Sequence, residues 1–151
     1  MMTSNRIRIG AEIDDVYRAA AEVLEWPRLL SHYRWVRMVE GEASDLRCVV
    51  EMAASRDGFP CSWQARMEKH PEEHRIHYRH TRSTWTRGMD VWWILRLEDD
   101  GTVEATITHE MPQSNLVTEW FRRNVVGRLF VENIADKTLM GLKLHLERGV
   151  S

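Results

Sequence analysis

Of the seven histidines in this 151-residue chain, His109 sits in the most telling pattern. Val103, Ala105, Ile107, His109 and Met111 alternate with Glu104, Thr106, Thr108 and Glu110. In a strand each set shares one face, so His109 is the one ionisable side chain on an otherwise apolar inward face. An imidazole with an ordinary pKa of about 6.5 can exchange a proton at neutral pH, which makes general acid/base work the chemistry on offer. A core histidine with a satisfied ring, or one touching solvent at a strand end, is the plainer reading. The histidines at 70, 74, 77 and 80 suggest a metal, but the spacing argues against one. On a strand His77 points opposite to His74 and His80, and those two stand about 20 Å apart at strand rise. Cys48 and Cys61 are too few for a zinc site or a disulfide framework. They read as small buried hydrophobes in a reducing compartment. No Gly-rich phosphate loop and no nucleophile elbow is present, and neither a metal nor a cofactor is expected.

The elements that must position His109 follow from periodicity. Residues 5–13 alternate, with Ile7, Ile9, Ala11 and Ile13 on one face, and predict a strand. Asp14 and Asp15 stand where an N-cap belongs, and Val16, Ala19, Ala20 and Val23 follow at helical spacing. Pro27 suits the first turn of a short second helix reaching about His32. Period two then predicts strands near 34–41, 45–55, 60–69, 74–82, 86–97 and 102–111. They are separated by Gly41-Glu42, Asp57-Gly58, Pro71-Glu72 and Asp99-Asp100-Gly101. Strands joined by short turns form an antiparallel meander. After Pro112 a long helix is expected from a cap at Asn115 to about Glu147, with Gly127 as a break. The fold class is α+β: a curved antiparallel sheet of about seven strands, a long C-terminal helix, and two short helices after strand 1. A sheet curled around a helix without closing on it leaves a cavity.

The faces sort further. Cys61, Trp63, Ala65 and Met67 share one side of their strand, and Met89, Val91, Trp93, Leu95 and Leu97 one side of another. On the long helix Phe121, Ala135, Leu139, Leu142 and Leu146 fall within roughly 60° of one meridian. Arg128 and Glu132 lie on that meridian and Asp136 at its edge. These groups are either a solvated i,i+4 pair with a neighbouring acid or the mouth of the cavity. Composition points to a cavity as well. Seven Trp against three Phe and three Tyr is more tryptophan than a core alone asks for. Indole brings a broad apolar face and one donor, which suits a wall that stacks on a ligand.

Composition also excludes. The net charge is −2, with 43% hydrophobic and 29% charged residues. That is neither a disordered chain nor a basic nucleic-acid binder, and Arg79, Arg82 and Arg87 read as a solvated face. The longest apolar run, Val91 to Leu95, is far short of the ~20 residues of a membrane span, and no signal-peptide stretch opens the chain. One domain over 1–151, cytoplasmic and without an integral membrane segment, is the expectation. Strand edges and an exposed Trp92 or Trp120 could serve a homodimer.

The order of elements resembles the START-like (SRPBCC, helix-grip) superfamily, most closely its polyketide cyclase/dehydrase branch, over nearly the whole chain. The anchors are Trp26-Pro27-Arg28-Leu29-Leu30-Ser31-His32-Tyr33, then Trp63, Gly88-Met89 with Trp93, Thr108-His109-Glu110, and Asn133-Ile134-Ala135-Asp136. In aromatase/cyclases of aromatic polyketide synthesis the equivalents of Trp26, Tyr33, Trp63 and Trp93 line a deep pocket that folds a poly-β-ketone. The resemblance therefore implies a ligand site with Trp26, Tyr33, Trp63 and Trp93 in its wall; Ala65, Met67, Tyr78, Met89 and Val91 are expected beside them, with Arg128 and Glu132 added from the helix meridian. One subgroup uses a His at the position of His109 and an Asp on the last helix. With one residue skipped that Asp aligns with Asp136, so the resemblance implies His109 as the base and Asp136 as the group that holds or charges it. The family's Arg and Ser on the Trp63 strand are replaced here by Met67 and Ala65. An oxyanion stabiliser is often the largest catalytic term, and Arg128 is the candidate to replace it. Two functions follow: an enzyme that cyclises or dehydrates a polyketide-like ligand, or a non-catalytic carrier of a lipid or quinone.

Overall fold

The computed structural model describes residues 2–56, 58–83, 86–112, 120 and 131–148. Alternating side chains do build strands: β1 Met2–Ile9, β2 Tyr33–Glu40, β3 Arg47–Arg56, β4 Phe59–His70, β5 Arg75–Ser83, β6 Asp90–Leu97 and β7 Val103–Glu110. They form one antiparallel sheet in the order β1-β7-β6-β5-β4-β3-β2. Between β1 and β2 lie helix α1 Ile13–Ala21, a 3₁₀ turn Val23–Glu25 and the four-residue helix α2 Trp26–Leu29. Helix α3, Glu132–Arg148, packs against β1 at one edge of the sheet and against β3 near the other. The expected front of that helix, including Arg128 and Phe121, lies outside the described residues.

Three boundaries differ from the periodic reading. β1 stops at Ile9 because the Gly10 N–H leaves the ladder and donates to Glu147 Oε1 at 2.8 Å. Ile13 is then the first residue of α1, and Asp14 and Asp15 sit in its first turn without capping it, where their charge suits the helix dipole. β6 begins at Asp90 rather than 86. Gly88 adopts φ +82 in a turn closed by Gly88 N–H to His80 O at 2.8 Å and Met89 N–H to Thr86 O at 3.0 Å. A β-carbon is strained in that left-handed conformation.

The inward strand faces hold the core: Val50 and Met52 on β3, Ala65 and Met67 on β4, Ile76 and Tyr78 on β5, Val91, Trp93 and Leu95 on β6, and Val103, Ala105 and Ile107 on β7. Trp92 points the other way, half-buried beneath His70 and His77 at ring-centroid distances of 6.1 and 4.5 Å. Helix α3 contributes Ile134, Ala135, Thr138, Leu139 and Leu142. Its Gly141 meets the buried Leu30 so closely that a β-carbon there would run into Leu30 Cδ2. Gly141→Val is therefore expected to cost about 1–3 kcal/mol through overpacking, read as a lower urea midpoint. A midpoint at or above wild type would show that α2 yields freely at this contact.

Candidate functional site

Between the concave sheet face and α3 lies a cavity of about 320 Å³. A run of aromatic rings forms one wall. Trp26 meets Tyr33 at 5.0 Å and Trp93 at 5.8 Å between ring centroids, and Tyr33 meets Trp63 at 6.2 Å. Trp63 stacks on His80 at 5.6 Å with an interplanar angle of 5°. These contacts are edge-on, tilted or stacked, the arrangements the aromatic quadrupole favours. Trp26 is fixed further by Nε1–H donating to Ala19 O at 3.1 Å. Tyr78, Met89, Val91, Ile107 and His109 complete the sheet side, and Val131, Ile134, Ala135 and Thr138 the side of α3. Of the wall residues, Pro60 and Ser62 are exposed, which puts the mouth at the β3–β4 end.

Polar atoms inside this apolar shell are few. His109 is 8% exposed, and its ring makes no hydrogen bond among the described residues, with Nδ1 buried and unpartnered. Burial pushes its pKa down to about 4. The Tyr78 hydroxyl is likewise buried without a partner, and burial raises its pKa well above the usual phenol value. His80 is 6% exposed. Its pKa falls to about 3, chiefly through burial and then through the neighbouring His109. His80 Nδ1 lies 2.8 Å from Thr86 Oγ1, which donates to Ser83 Oγ at 2.7 Å. At the α3 side Thr138 donates to Ile134 O at 2.7 Å, so its oxygen accepts from His32 Nε2–H at 2.9 Å. Burial and then Lys137 bring the His32 pKa down to about 4. At pH 7 these three imidazoles are neutral, able to accept a proton and costly to leave charged.

The structure brings Trp26, Tyr33, Trp63, Tyr78, Met89, Val91, Trp93 and His109 to one cavity. Ala65 and Met67 are buried at 0% and 1% exposure but stand off its walls. Glu132 is half-buried and gives its backbone oxygen to Asn5 Nδ2 at 3.3 Å. Asp136 is exposed, off the cavity walls, and its Oδ1 accepts from the same Asn5 amide at 2.7 Å. Arg128 lies outside the described residues. Sequence reasoning passed over His80, Ser83, Thr86 and Thr138. His80 has a signal, since it shares the parity of Ile76 and Tyr78. Ser83 has none, because a bulge between the Gln64 and Ala65 pairings shifts the β5 register and turns it inward. Among the described residues no group of His, Cys, Asp or Glu could hold a metal ion, and no helix is long and apolar enough to cross a membrane.

A family model described as polyketide cyclase / dehydrase and lipid transport matches residues 9–138. A Streptomyces halstedii protein, provisionally named a polyketide cyclase, is 25% identical over 101 residues, covering 67% of this chain and 93% of that protein. The crystal structure of the ZhuI aromatase/cyclase from Streptomyces sp. R1128 superposes with a TM-score of 0.84 at 19% identity, covering 100% of this chain and 96% of that one. At that identity the likeness is one of fold. The di-domain aromatase/cyclase BexL, from the BE-7585A biosynthetic pathway, gives a TM-score of 0.74 at 25% identity, covering 97% of this chain and 46% of that chain.

Proposed function

This chain belongs to the polyketide cyclase/dehydrase and lipid transport family, within the START-like superfamily, and from that premise we propose that it folds an oxygenated, aromatic or polyketide-like small molecule into its cavity and promotes cyclisation or dehydration there, with His109 moving the proton. The observation that carries this reading is the pair of unpartnered polar groups, His109 Nδ1 and Tyr78 OH, inside a shell of tryptophans. A buried group without a partner costs about 1–3 kcal/mol, so a core built for stability alone would not keep two. A ligand that is apolar in its body and oxygenated along its edge satisfies both groups and stacks on the indoles.

The chemistry follows from the ionisation state. A neutral imidazole can take a proton from a carbon flanked by two carbonyls. The resulting carbanion attacks a carbonyl carbon of the same folded chain, forming the ring bond, and the imidazolium returns its proton to the alkoxide. In dehydration the same imidazole removes the adjacent carbon-bound proton and, as imidazolium, hands it to the departing hydroxyl, so that the C–O bond breaks, the C=C bond forms and water leaves. Tyr78 can donate to the developing oxyanion, the role from which Ala65 and Met67 are disqualified by lacking donors. The cavity contributes by holding reacting carbons together and excluding water. Asp136, on the outside, ties α3 to β1 through Asn5 and is assigned to that clamp.

Intrinsic tryptophan fluorescence tests the reading, titrated in parallel with a planar polyphenol and a long-tailed quinone. Saturable quenching by the polyphenol is the expected result. Quenching by the quinone alone would replace cyclisation with carriage. Saturation by neither would end the proposal of a ligand cavity.

A further inference from the structure

His80 lies outside the mechanism above, yet its surroundings are as deliberate as those of His109. We propose that His80 is a second ligand-contacting residue of this cavity, and that its fixed tautomer selects ligands presenting an enolic or phenolic hydroxyl donor. The inference rests on the ligand-cavity reading and names what that ligand must carry.

One hydrogen atom fixes the tautomer of His80. Ser83 Oγ accepts from the Thr86 hydroxyl at 2.7 Å and from the Thr86 N–H at 3.3 Å. Having given its only hydroxyl proton to Ser83, Thr86 Oγ1 can meet His80 only as an acceptor. The proton of the neutral ring therefore sits on Nδ1, 2.8 Å away. Nε2 keeps a bare lone pair and makes no hydrogen bond among the described residues. A histidine kept for packing alone would spend both nitrogens on protein.

The ring is also held in plane. It stacks on Trp63 at 5.6 Å and 5°, and its register partner on β4 is Ala65, too small a side chain to cover it. His109 stands two strands away in the same wall, close enough for its charge to bear on His80. Two neutral imidazoles in a largely apolar wall offer no counter-charge to a cation. They accept a carboxylate only at the cost of protonating one ring. The neutral hydroxyl is the group that His80 Nε2 is built to receive, and an ether oxygen in its place faces lone pair with lone pair.

The test compares a planar polyphenol with its fully O-methylated counterpart by tryptophan quenching, in wild type, His80→Phe and Thr86→Val. His80→Phe keeps a ring on Trp63 and removes the acceptor. Wild type should bind the polyphenol about tenfold or more tighter than the ether, and His80→Phe should bring the two affinities together. Thr86→Val should narrow the gap by releasing the tautomer. ¹⁵N spectra of the wild-type imidazoles should show His80 protonated at Nδ1, with the Nε2 resonance moving on addition of polyphenol and unmoved by the ether. Equal affinity for the two probes in wild type, discrimination that survives His80→Phe, or an Nε2–H tautomer would each overturn the inference while leaving the cavity reading intact. The spectra decide the matter even if His80→Phe does not fold. Saturation by neither probe would remove the cavity reading and this inference together.

Discussion

Acidification from pH 7 to pH 5 is expected to remove about 4 kcal/mol of folding stability through His80 and His109 alone. Their folded pKa values are about 3 and about 4, below the ordinary value of about 6.5. The unfolded chain therefore binds protons that the folded chain refuses. The stability from keeping these rings neutral is fully present above pH ~6.5 and is lost as pH falls towards the folded values. At pH 5 each ring contributes about 2 kcal/mol of the loss, and His32 pulls in the same direction. Depressed carboxylates such as Asp100 and Glu147 lose their contribution only below their ordinary values, so they leave this window to the histidines. Since small domains hold only about 5–15 kcal/mol in total, the urea midpoint should drop steeply between pH 6.5 and 5. A midpoint flat over that interval would show that the rings are solvated in the native state.

His109→Leu is expected to cost about 10²–10⁴ in turnover of a reactive poly-β-ketone, the span attributed to a positioned acid/base. It should do so while leaving the urea midpoint at pH 7 unchanged or raised. The imidazole has no hydrogen bond to lose among the described residues, and Leu adds apolar contact where a desolvated nitrogen stood. A change that stabilises the fold and stops the chemistry is the signature of a residue kept for function at the expense of packing. If the variant keeps its turnover, His109 is a core residue and the proton moves elsewhere. If it unfolds at pH 7, the ring is structural. Asp136→Asn provides the contrast. It keeps an oxygen for the Asn5 amide, and a modest effect on turnover is expected from a clamp outside the walls.

The inward strand faces were legible because alternation is unambiguous when one face is buried. The order Val103, Ala105, Ile107, His109, Met111 is buried residue by residue. The element order and Trp26, Tyr33, Trp63 and Trp93 were equally readable, through period and through family likeness. Asp136 was not. A meridian drawn from Leu139, Leu142, Leu146 and Ala135 leaves it at the edge of the core stripe. The helix also buries Ile134 and Thr138, which swings the stripe roughly 30–40° further from Asp136 at 100° per residue. A threonine gives no hydrophobic signal, yet it is buried here because His32 and Ile134 O satisfy its hydroxyl. His80 hides differently: its spacing from His74 raises only the question of a shared ion, and nothing but the parity of β5 sets it beside Tyr78. Ser83 could not be read at all, since a bulge reverses parity without leaving a mark in composition.

The strand that carries His109 has a neighbour from the opposite end of the chain. β1 pairs with β7 from Met2↔Glu110 to Ile9↔Val103, and Thr3 stands opposite His109. Every other strand pair joins consecutive strands. During folding this one contact must close a loop of about two thirds of the sequence, while the meander from β2 to β7 can zip locally. The backbone beside His109 is thus completed by the most distant partner available, and the slowest refolding phase should be the one that restores activity. On a ribosome releasing residues in order, β1 emerges before the other six strands and must wait for β7 before it has a strand to pair with.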